Sequence, residues 1–296
     1  MPSRGIRMTN GERVFNALNI LIMLALVVIT LYPLLYVLFA ALSVPSRLMT
    51  NYGVLLGPQG FSLVSFAAVF KNPNIWSGYK NTLIIVIGGT ALNMVMTVLG
   101  GYVLSRKGWF LTRPIALGVV FTMYFSGGLI PFYLTVRGVG LRDTLLALII
   151  PTAINTYNMM IMRTAMVTIP TSLEESAKLD GAGHFTILAR IIAPLILPTL
   201  AVLLLYYGVE HWNAWFNAMI FLRKRTMFPL QLILREILIQ NNTTDMGIGS
   251  SMTDQEMVSE TIKYAVIIVS TVPILLLYPF LQRYFVKGVM VGAVKG

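Results

Sequence analysis

The sequence predicts an all-α membrane protein with six transmembrane helices, and its composition and its apolar runs both support this fold class. Of its 296 residues, 56% are hydrophobic and only 11% are charged. Soluble domains typically carry about 25% charged residues. Several apolar runs also exceed the ~20 residues that a helix needs to cross a bilayer. The chain is therefore predicted to cross a membrane repeatedly.

The charge and the missing residue types exclude several classes of function. The net charge is +11. The sequence contains no basic run with interleaved aromatic residues, which is the pattern that would indicate a nucleic-acid partner. With no cysteine, there is no disulfide and no thiolate site. The two histidines, His184 and His211, lie far apart, and no HExxH or Walker lysine motif is present. We therefore expect no catalytic residues, no metal site and no cofactor in this chain.

The first predicted span follows a polar N-terminal segment. Met1–Arg13 carries three arginines, and the apolar run Val14–Leu42 follows it. This run is much longer than the ~7–15 apolar residues of a signal peptide. We therefore predict an uncleaved first span that starts in the cytoplasm.

Five further apolar runs complete the predicted topology, which places both termini on the same side of the membrane. Lysine and arginine are almost evenly divided between the two sides, so charge supports this orientation only weakly. The pairs Gly88-Gly89 and Gly100-Gly101 are predicted to let helices approach closely. A short external helix is expected at Leu63–Phe70, and a break in span three at Phe125–Pro131. Spans two to six are predicted at Thr82–Leu104, Pro114–Val136, Thr144–Met166, Pro194–Leu222 and Thr261–Leu281.

A polar, charge-bearing segment at Ser172–Gly183 separates spans four and five. Glu174 and Glu175 fall in a predicted first helical turn, where the helix dipole favours negative charge. Gly181 and Gly183 then interrupt the helix, which resumes until Pro194. The pattern predicts two short helices with a bend on one membrane face. From the residues alone, a solvated helix face and a docking surface both remain open.

The same segment resembles the EAA loop of bacterial ABC importer permeases. Glu175-Ser176-Ala177, Gly181, Ile191 and Pro194 match the spacing of that motif, with Ser176 and Ala193 as small departures. Asp180-Gly181-Ala182 is similar to the variant of the sugar-importing branch. The resemblance to the maltose-type permease family extends over nearly the whole chain. The other stretches that carry it are 81–83, 104–106, 125–131, 138–144, 147–151 and 292–296.

This resemblance implies a single permease domain over residues 1–296, from the branch that imports oligosaccharides or acidic polysaccharide fragments such as uronide oligomers. It implies the bacterial cytoplasmic membrane, a second permease subunit, two ATP-binding subunits that hold ATP and Mg, and an external solute-binding protein. The loop, residues 171–192, would sit in a groove of the ATPase, with Glu175 facing a basic residue and Gly181 allowing the bend. The implied ATPase-coupling residues are Glu174, Glu175, Ser176, Ala177, Asp180, Gly181 and Ala182.

A second group of polar residues lies within predicted spans four and five. Glu210, Asn213 and Asn217 would share one face of a continuous helix. An intramembrane acid is costly in lipid and often marks a cavity lined by protein. Carboxylate, amide and tryptophan side chains suit a sugar, although an interhelical polar contact explains them as well. The candidate substrate-path residues are Glu210, His211, Trp212, Asn213, Asn217, Asn155 and Asn158.

Two alternatives remain open at this point. The chain could be an ABC permease for another solute, such as a peptide, or a channel or membrane enzyme that ATP does not drive. An enzyme should bring together acid, base or metal-binding residues, and only Glu210 and His211 are available for that role. We therefore favour a permease that performs no covalent chemistry and alternates between inward-open and outward-open states.

Overall fold

The structure is a computed structural model that describes residues 9–51, 53–106, 110–240, 260–276 and 279. Within these ranges the regular structure consists of helices, and no strand occurs. The helices are α1 Asn10–Ala41, α2 Pro45–Thr50, α3 Val64–Lys71, α4 Pro73–Ser105, α5 Thr112–Tyr124, α6 Leu129–Gly138, α7 Thr156–Val167, α8 Thr171–Leu179, α9 His184–Leu195, α10 Leu197–Trp212, α11 Phe216–Phe221, α12 Leu230–Gln240 and α13 at residues 260–276.

The first helix begins at a capping box. The Thr9 backbone N–H donates to Glu12 Oε2 at 2.7 Å, and the Glu12 N–H donates to Thr9 Oγ1 at 3.3 Å. These reciprocal bonds satisfy donors that the first helical turn leaves unpaired. The helix then continues through Pro33 to Ala41, which agrees with the helix predicted for the first span.

Two of the described helices, α1 and α4, are long and apolar enough to cross a membrane alone. Two further pairs pass the same criteria as bent units: α5 with α6, bent by 115°, and α9 with α10, bent by 88°. The break at residues 125–128 between α5 and α6 agrees with the predicted interruption of span three. The described part of the chain thus holds up to four spans by length and composition, and the count of six stays a prediction.

The helix that contains predicted span two begins nine residues before the predicted start of the span. Helix α4 begins at Pro73 rather than at Thr82, because Asn72 caps it and its side chain accepts the Asn74 N–H at 2.9 Å. Pro73 occupies the first helical position, where its missing N–H costs nothing. The short helix expected at Leu63–Phe70 is confirmed by α3, one residue further along, and its external location stays a prediction.

Span four is not the continuous helix that was predicted for Thr144–Met166. A short 3-10 turn at Leu145–Leu148 is followed by irregular backbone, and α7 begins only at Thr156. Pro151 explains part of this difference, since it lacks an N–H and disfavours the helical conformation of the residue before it. Asn155 then starts α7 as its N-cap, accepting the Asn158 N–H at 3.1 Å.

Span five is also interrupted. Helix α10 ends at Trp212, and α11 begins only at Phe216. The intervening backbone, residues 213–215, is not helical.

The chain divides into two compact units, one formed by residues 1–71 and 243–269 and the other by residues 72–242 and 270–296. In the described part of the first unit, Ser65 and Thr261 join their hydroxyl groups at 2.8 Å. The rings of Tyr36 and Tyr264 meet edge to face at 5.9 Å. These contacts hold the start of α13 against α1 and α3.

In the second unit, α4 packs against α7 and α10 through its glycines. A Cβ added to Gly100 or Gly101 would lie 2.7 Å from the side chain of Met159 or Met162. A Cβ added to Gly89 would lie 2.5 Å from Nε2 of His211. The predicted role of these three glycines in close helix packing is confirmed. Gly88 differs, since its added Cβ would make only an ordinary contact.

Candidate functional site

The coupling segment, residues 171–192, consists of α8, a turn and most of α9. Gly181 has a φ of +80° at the turn. Its N–H donates to the Lys178 carbonyl at 3.0 Å, and the Ala182 N–H donates to the Ala177 carbonyl at 2.8 Å. This is the Schellman arrangement, which ends a helix at a residue in the left-handed conformation. The bend that the sequence predicts at Gly181 is therefore present.

Replacing Gly181 by alanine is expected to lower stability by about 1–2 kcal/mol, because an L side chain is disfavoured in the left-handed region. The added Cβ would contact nothing within 4 Å, so the penalty comes from the backbone alone. Thermal unfolding of the purified protein measures the effect. Gly57→Ala is the matched control, since Gly57 lies outside the helices, has no positive φ and faces equally open space. Equal melting temperatures for the two variants would contradict this account.

One face of the coupling segment is packed into the second unit. Its buried residues belong to the same hydrophobic cluster as residues of α4, α7 and α10. A shared core of this kind transmits displacement, since packed interiors are dense and resist compression. The cluster contains Ala177, Ile187, Leu188 and Ile192 from the segment, with Tyr102, Met162, Met166, Ile169, Ile196 and Leu203 around them.

The opposite face of the coupling segment is exposed. Glu175 and Asp180 are exposed, together with Ser176 and Lys178. Two large apolar side chains lie on the same segment, with Leu179 90% exposed and Phe185 78% exposed. Exposed apolar side chains beside charged ones are typical of a protein interaction surface.

Glu174 lies on the packed side, unlike Glu175. It is only 6% exposed and forms an ion pair with Arg106, directly after the end of α4. The Arg106 guanidinium also lies 4.7 Å from the centre of the Tyr102 ring. The Tyr102 hydroxyl in turn lies 2.9 Å from Nδ1 of His184 at the start of α9. These contacts fix both helices of the coupling segment to the end of α4.

Arg106 is a functional candidate that the sequence did not single out for this role. It is far from Glu174 along the chain, so no local spacing links the two residues. The only signal was an arginine at the cytoplasmic end of a predicted span, which is a common place for one.

Among the substrate-path candidates, His211 is buried in an interhelical contact. Its Nε2 lies 2.6 Å from Oδ1 of Asn93 on α4. The Asn93 amide donates to the Thr152 carbonyl at 2.5 Å. Because Gly89 also packs against the imidazole, these contacts place His211 in the packing between α4 and α10.

Three further candidates also make internal contacts. Trp212 is buried, and its Nε1 donates to the Ser270 carbonyl at 3.2 Å. Asn158 is 4% exposed and interacts with Tyr207, while Asn155 serves as the N-cap of α7. Their polar groups therefore have partners within the protein.

The prediction that Glu210, Asn213 and Asn217 share one face of a continuous helix is wrong. The spacing assumed one continuous helix, but α10 ends at Trp212 and Asn217 belongs to α11. Glu210 and Asn213 are both exposed. The Asn213 amide donates to the Val209 carbonyl at 2.9 Å, and its side-chain oxygen has no hydrogen-bond partner among the described residues. These two residues remain the exposed polar pair at the end of α10.

On the predicted outer side, Asp143 ties two connecting segments together. Its carboxylate accepts the N–H groups of Arg223 at 3.0 Å and Lys224 at 3.3 Å, and its own N–H donates to the Phe221 carbonyl at 3.0 Å. Asp143 has a φ of +60°, which aspartate tolerates better than most residues. The hydrogen bond from the Arg223 backbone lowers the pKa of Asp143, and that from Lys224 acts in the same direction.

Because the folded pKa of Asp143 is depressed, its contribution to stability is complete above the unfolded pKa of about 4. The contribution is lost as pH falls through the folded value. We therefore expect Asp143→Asn to melt below the wild type at about pH 7 and to approach it in acid. Melting temperatures of the two proteins across this range measure the difference. A difference that does not change with pH would show that the carboxylate charge is irrelevant.

No protein-family model matches the chain. It is 38% identical over 290 residues to the polygalacturonan/rhamnogalacturonan transport system permease protein YtcP of Bacillus subtilis, covering 96% of this chain and 99% of that protein. It is 36% identical over 289 residues to Protein LplC of Bacillus subtilis, covering 97% of each. Its fold matches a solved bacterial ABC transporter "involved in the import of the acidic polysaccharide alginate", with a TM-score of 0.86, 28% identity, and 95% and 99% of the two chains covered.

The helical fold and these likenesses define a transport component of the ABC class. The chain belongs to the family of ABC permeases for sugars and oligosaccharides, and it is a protein of the bacterial cytoplasmic membrane. Membership of this family favours a sugar permease over a permease for another solute and over a channel or enzyme that ATP does not drive.

Proposed function

We propose that this chain imports acidic oligosaccharides, such as uronide fragments of polysaccharides, as one of two permease subunits in an ATP-driven transporter. The observation that supports coupling to ATP is that the coupling segment has two different sides. One side is packed against α4, α7 and α10, and the other side presents exposed charged and apolar residues. An element of this kind can receive a force on its exposed side and pass it to the spans.

Two ATP-binding subunits would supply that force, with ATP and Mg bound on them rather than on this chain. The exposed side suits a groove with an apolar floor for Leu179 and Phe185 and a basic residue for Glu175. Ser176 and Asp180 lie on the same exposed segment. Ala177 and Ala182 are small, so they would let the backbones of α8 and α9 approach each other closely at the turn. Glu174 acts differently in this proposal, as the buried anchor of the segment to Arg106.

Transport would follow from a change in the relative stability of two states. ATP binding can shift the permease between them only if the ATPase contacts the coupling segment differently in each state. The ion pair of Glu174 with Arg106 makes α8 move together with the end of α4. The spans would then open alternately to the two sides of the membrane.

The proposed substrate class is supported by the relatives, which are named for a polygalacturonan/rhamnogalacturonan system and for alginate import. In this chain, Glu210 and Asn213 are the exposed polar candidates along the path. Their oxygen atoms can accept hydrogen bonds from sugar hydroxyls. A second permease would complete the path, and an external solute-binding protein would deliver the oligosaccharide.

Gentle extraction of the tagged chain from native membranes tests the proposed assembly. We expect a second permease and an ATP-binding subunit to copurify with it. Addition of a binding protein loaded with an oligogalacturonate should then raise the rate of ATP hydrolysis. A chain that purifies alone under these conditions would contradict the assembly. An intact assembly that responds only to neutral oligosaccharides would contradict the acidic substrate class.

A further inference from the structure

The residues of α12 that face away from its packed side include an arginine that the proposed function does not yet use. The packed side of the helix is formed by Leu230, Leu232, Ile233, Leu234 and Ile237, all buried. Arg235 and Glu236 lie on the partly exposed side. Glu236 Oε2 lies 3.4 Å from Nη2 of Arg225, so the charge of Arg225 is balanced within the protein.

Arg235 has a different environment. Among the described residues, no carboxylate lies within ion-pairing distance of its guanidinium. The guanidinium lies 4.2 Å from the ring centre of Trp215, and Nη1 lies 2.8 Å from Sδ of Met219. A thioether sulfur is a weak acceptor, and a guanidinium has five N–H donors. Within the part of the chain that the structure describes, most of the hydrogen-bonding capacity of Arg235 is therefore unused and can serve a ligand.

Trp215 places this guanidinium at the break in the fifth predicted span. It lies in the non-helical stretch between α10 and α11, two residues after the exposed Asn213. Its ring also meets Phe216 edge to face at 5.6 Å, and Phe216 is 45% exposed. Non-helical backbone at membrane depth requires a surrounding of protein or water. The break thus brings together a cation that forms no ion pair with any described residue, an aromatic surface and an exposed amide.

We propose that Arg235 and Trp215 form a binding subsite for the carboxylate-bearing ring of a uronate unit, an inference that rests on the proposed function. The planar guanidinium can bind a carboxylate through two parallel N–H bonds. Its contact with the indole ring holds its plane before the ligand arrives, which lowers the entropic cost of binding. The aromatic residues supply apolar surface for the sugar ring, and Asn213 supplies a carbonyl oxygen for a hydroxyl group.

The test uses the complete transporter, reconstituted with its partner subunits and binding protein, and two probes of equal length. One probe is trigalacturonate, and the other is the same trisaccharide with every carboxylate methyl-esterified. For Arg235→Gln we expect the apparent KM for trigalacturonate uptake to rise by about 10-fold or more, as for loss of a hydrogen bond to a charged group. The ester, which lacks the charge, should show little change. For Arg235→Lys we expect an apparent KM for trigalacturonate between those of the wild type and Arg235→Gln, because lysine keeps the charge but not the planar guanidinium.

Arg137→Gln is the matched control, because Arg137 is an exposed cation at the end of α6. The control should leave the apparent KM for uptake of both probes unchanged. An Arg235→Gln transporter that keeps its preference for the acidic probe would overturn the subsite. An equal loss of uptake for both probes in Arg235→Gln and Arg235→Lys would also overturn the subsite, since that result indicates that Arg235 has a packing role. If the wild type takes up neither probe, the proposed substrate class fails as well, and this outcome is visible before any variant is made.

Discussion

Replacing Arg106 by glutamine is expected to destabilise the protein and to weaken the coupling of ATP hydrolysis to sugar uptake. The change leaves Glu174 as an unpaired carboxylate whose side chain is only 7% exposed. Breaking a buried ion pair by removing one partner typically costs about 3–5 kcal/mol. Because the Arg106 side chain is 20% exposed, we expect the lower end of that range. Glu174→Gln should have a similar effect, since it leaves the arginine without its carboxylate.

Two measurements separate the structural effect from the coupling effect. The melting temperature reports stability, and the ratio of sugar taken up to ATP hydrolysed reports coupling. The double variant Arg106→Gln with Glu174→Gln removes both charges, so it should be less damaged than the sum of the single variants predicts. Strict additivity of the two single effects would show that the two residues act independently. An unchanged uptake ratio in a destabilised variant would limit the ion pair to a role in folding.

Replacing Glu175 by arginine is expected to remove the ATP-binding subunit from the complex while leaving this chain folded. Glu175 is exposed on α8 and forms no ion pair with any residue that the structure describes, so its change should cost little stability. A hot-spot residue of an interface contributes about 2 kcal/mol or more, or about 30-fold in affinity, and reversing its charge adds repulsion. The amount of ATP-binding subunit that copurifies with the tagged chain measures this effect.

Arg13→Glu serves as the control for Glu175→Arg. It is a charge reversal of equal size at an exposed residue of α1, outside the coupling segment. The control should retain the ATP-binding subunit, and Glu175→Gln should retain part of it. Full retention by Glu175→Arg would contradict the proposed docking surface, even if the wild-type complex assembles as expected.

The features that the sequence predicts well are those set by nearby residues. The first helix follows from a long apolar run after a polar segment, and the turn at Gly181 follows from a glycine at the end of a short polar helix. The close packing at Gly89, Gly100 and Gly101 could also be predicted, because small residues are the usual means of helix approach in a membrane.

The features that the sequence did not predict depend on distant contacts or on the course of the backbone. The pairing of Glu174 with Arg106 joins distant parts of the chain. Hydropathy identified the apolar stretch around Trp212 but not the break after it, since the composition is similar on both sides. For this reason, the prediction that Asn217 shares a helical face with Glu210 and Asn213 was wrong. His211 shows a further limit, because a buried interhelical contact and a cavity require the same kind of polar residue in a span.

The central claim is that this permease imports acidic oligosaccharides with energy from ATP. Its most direct test is uptake of labelled trigalacturonate into proteoliposomes that contain the complete transporter and its binding protein. We expect the sugar to accumulate only when ATP and Mg are supplied on the side of the ATP-binding subunits, and Glu175→Arg should abolish the accumulation. Uptake that proceeds equally without ATP, or ATP-driven uptake restricted to neutral oligosaccharides, would contradict the claim.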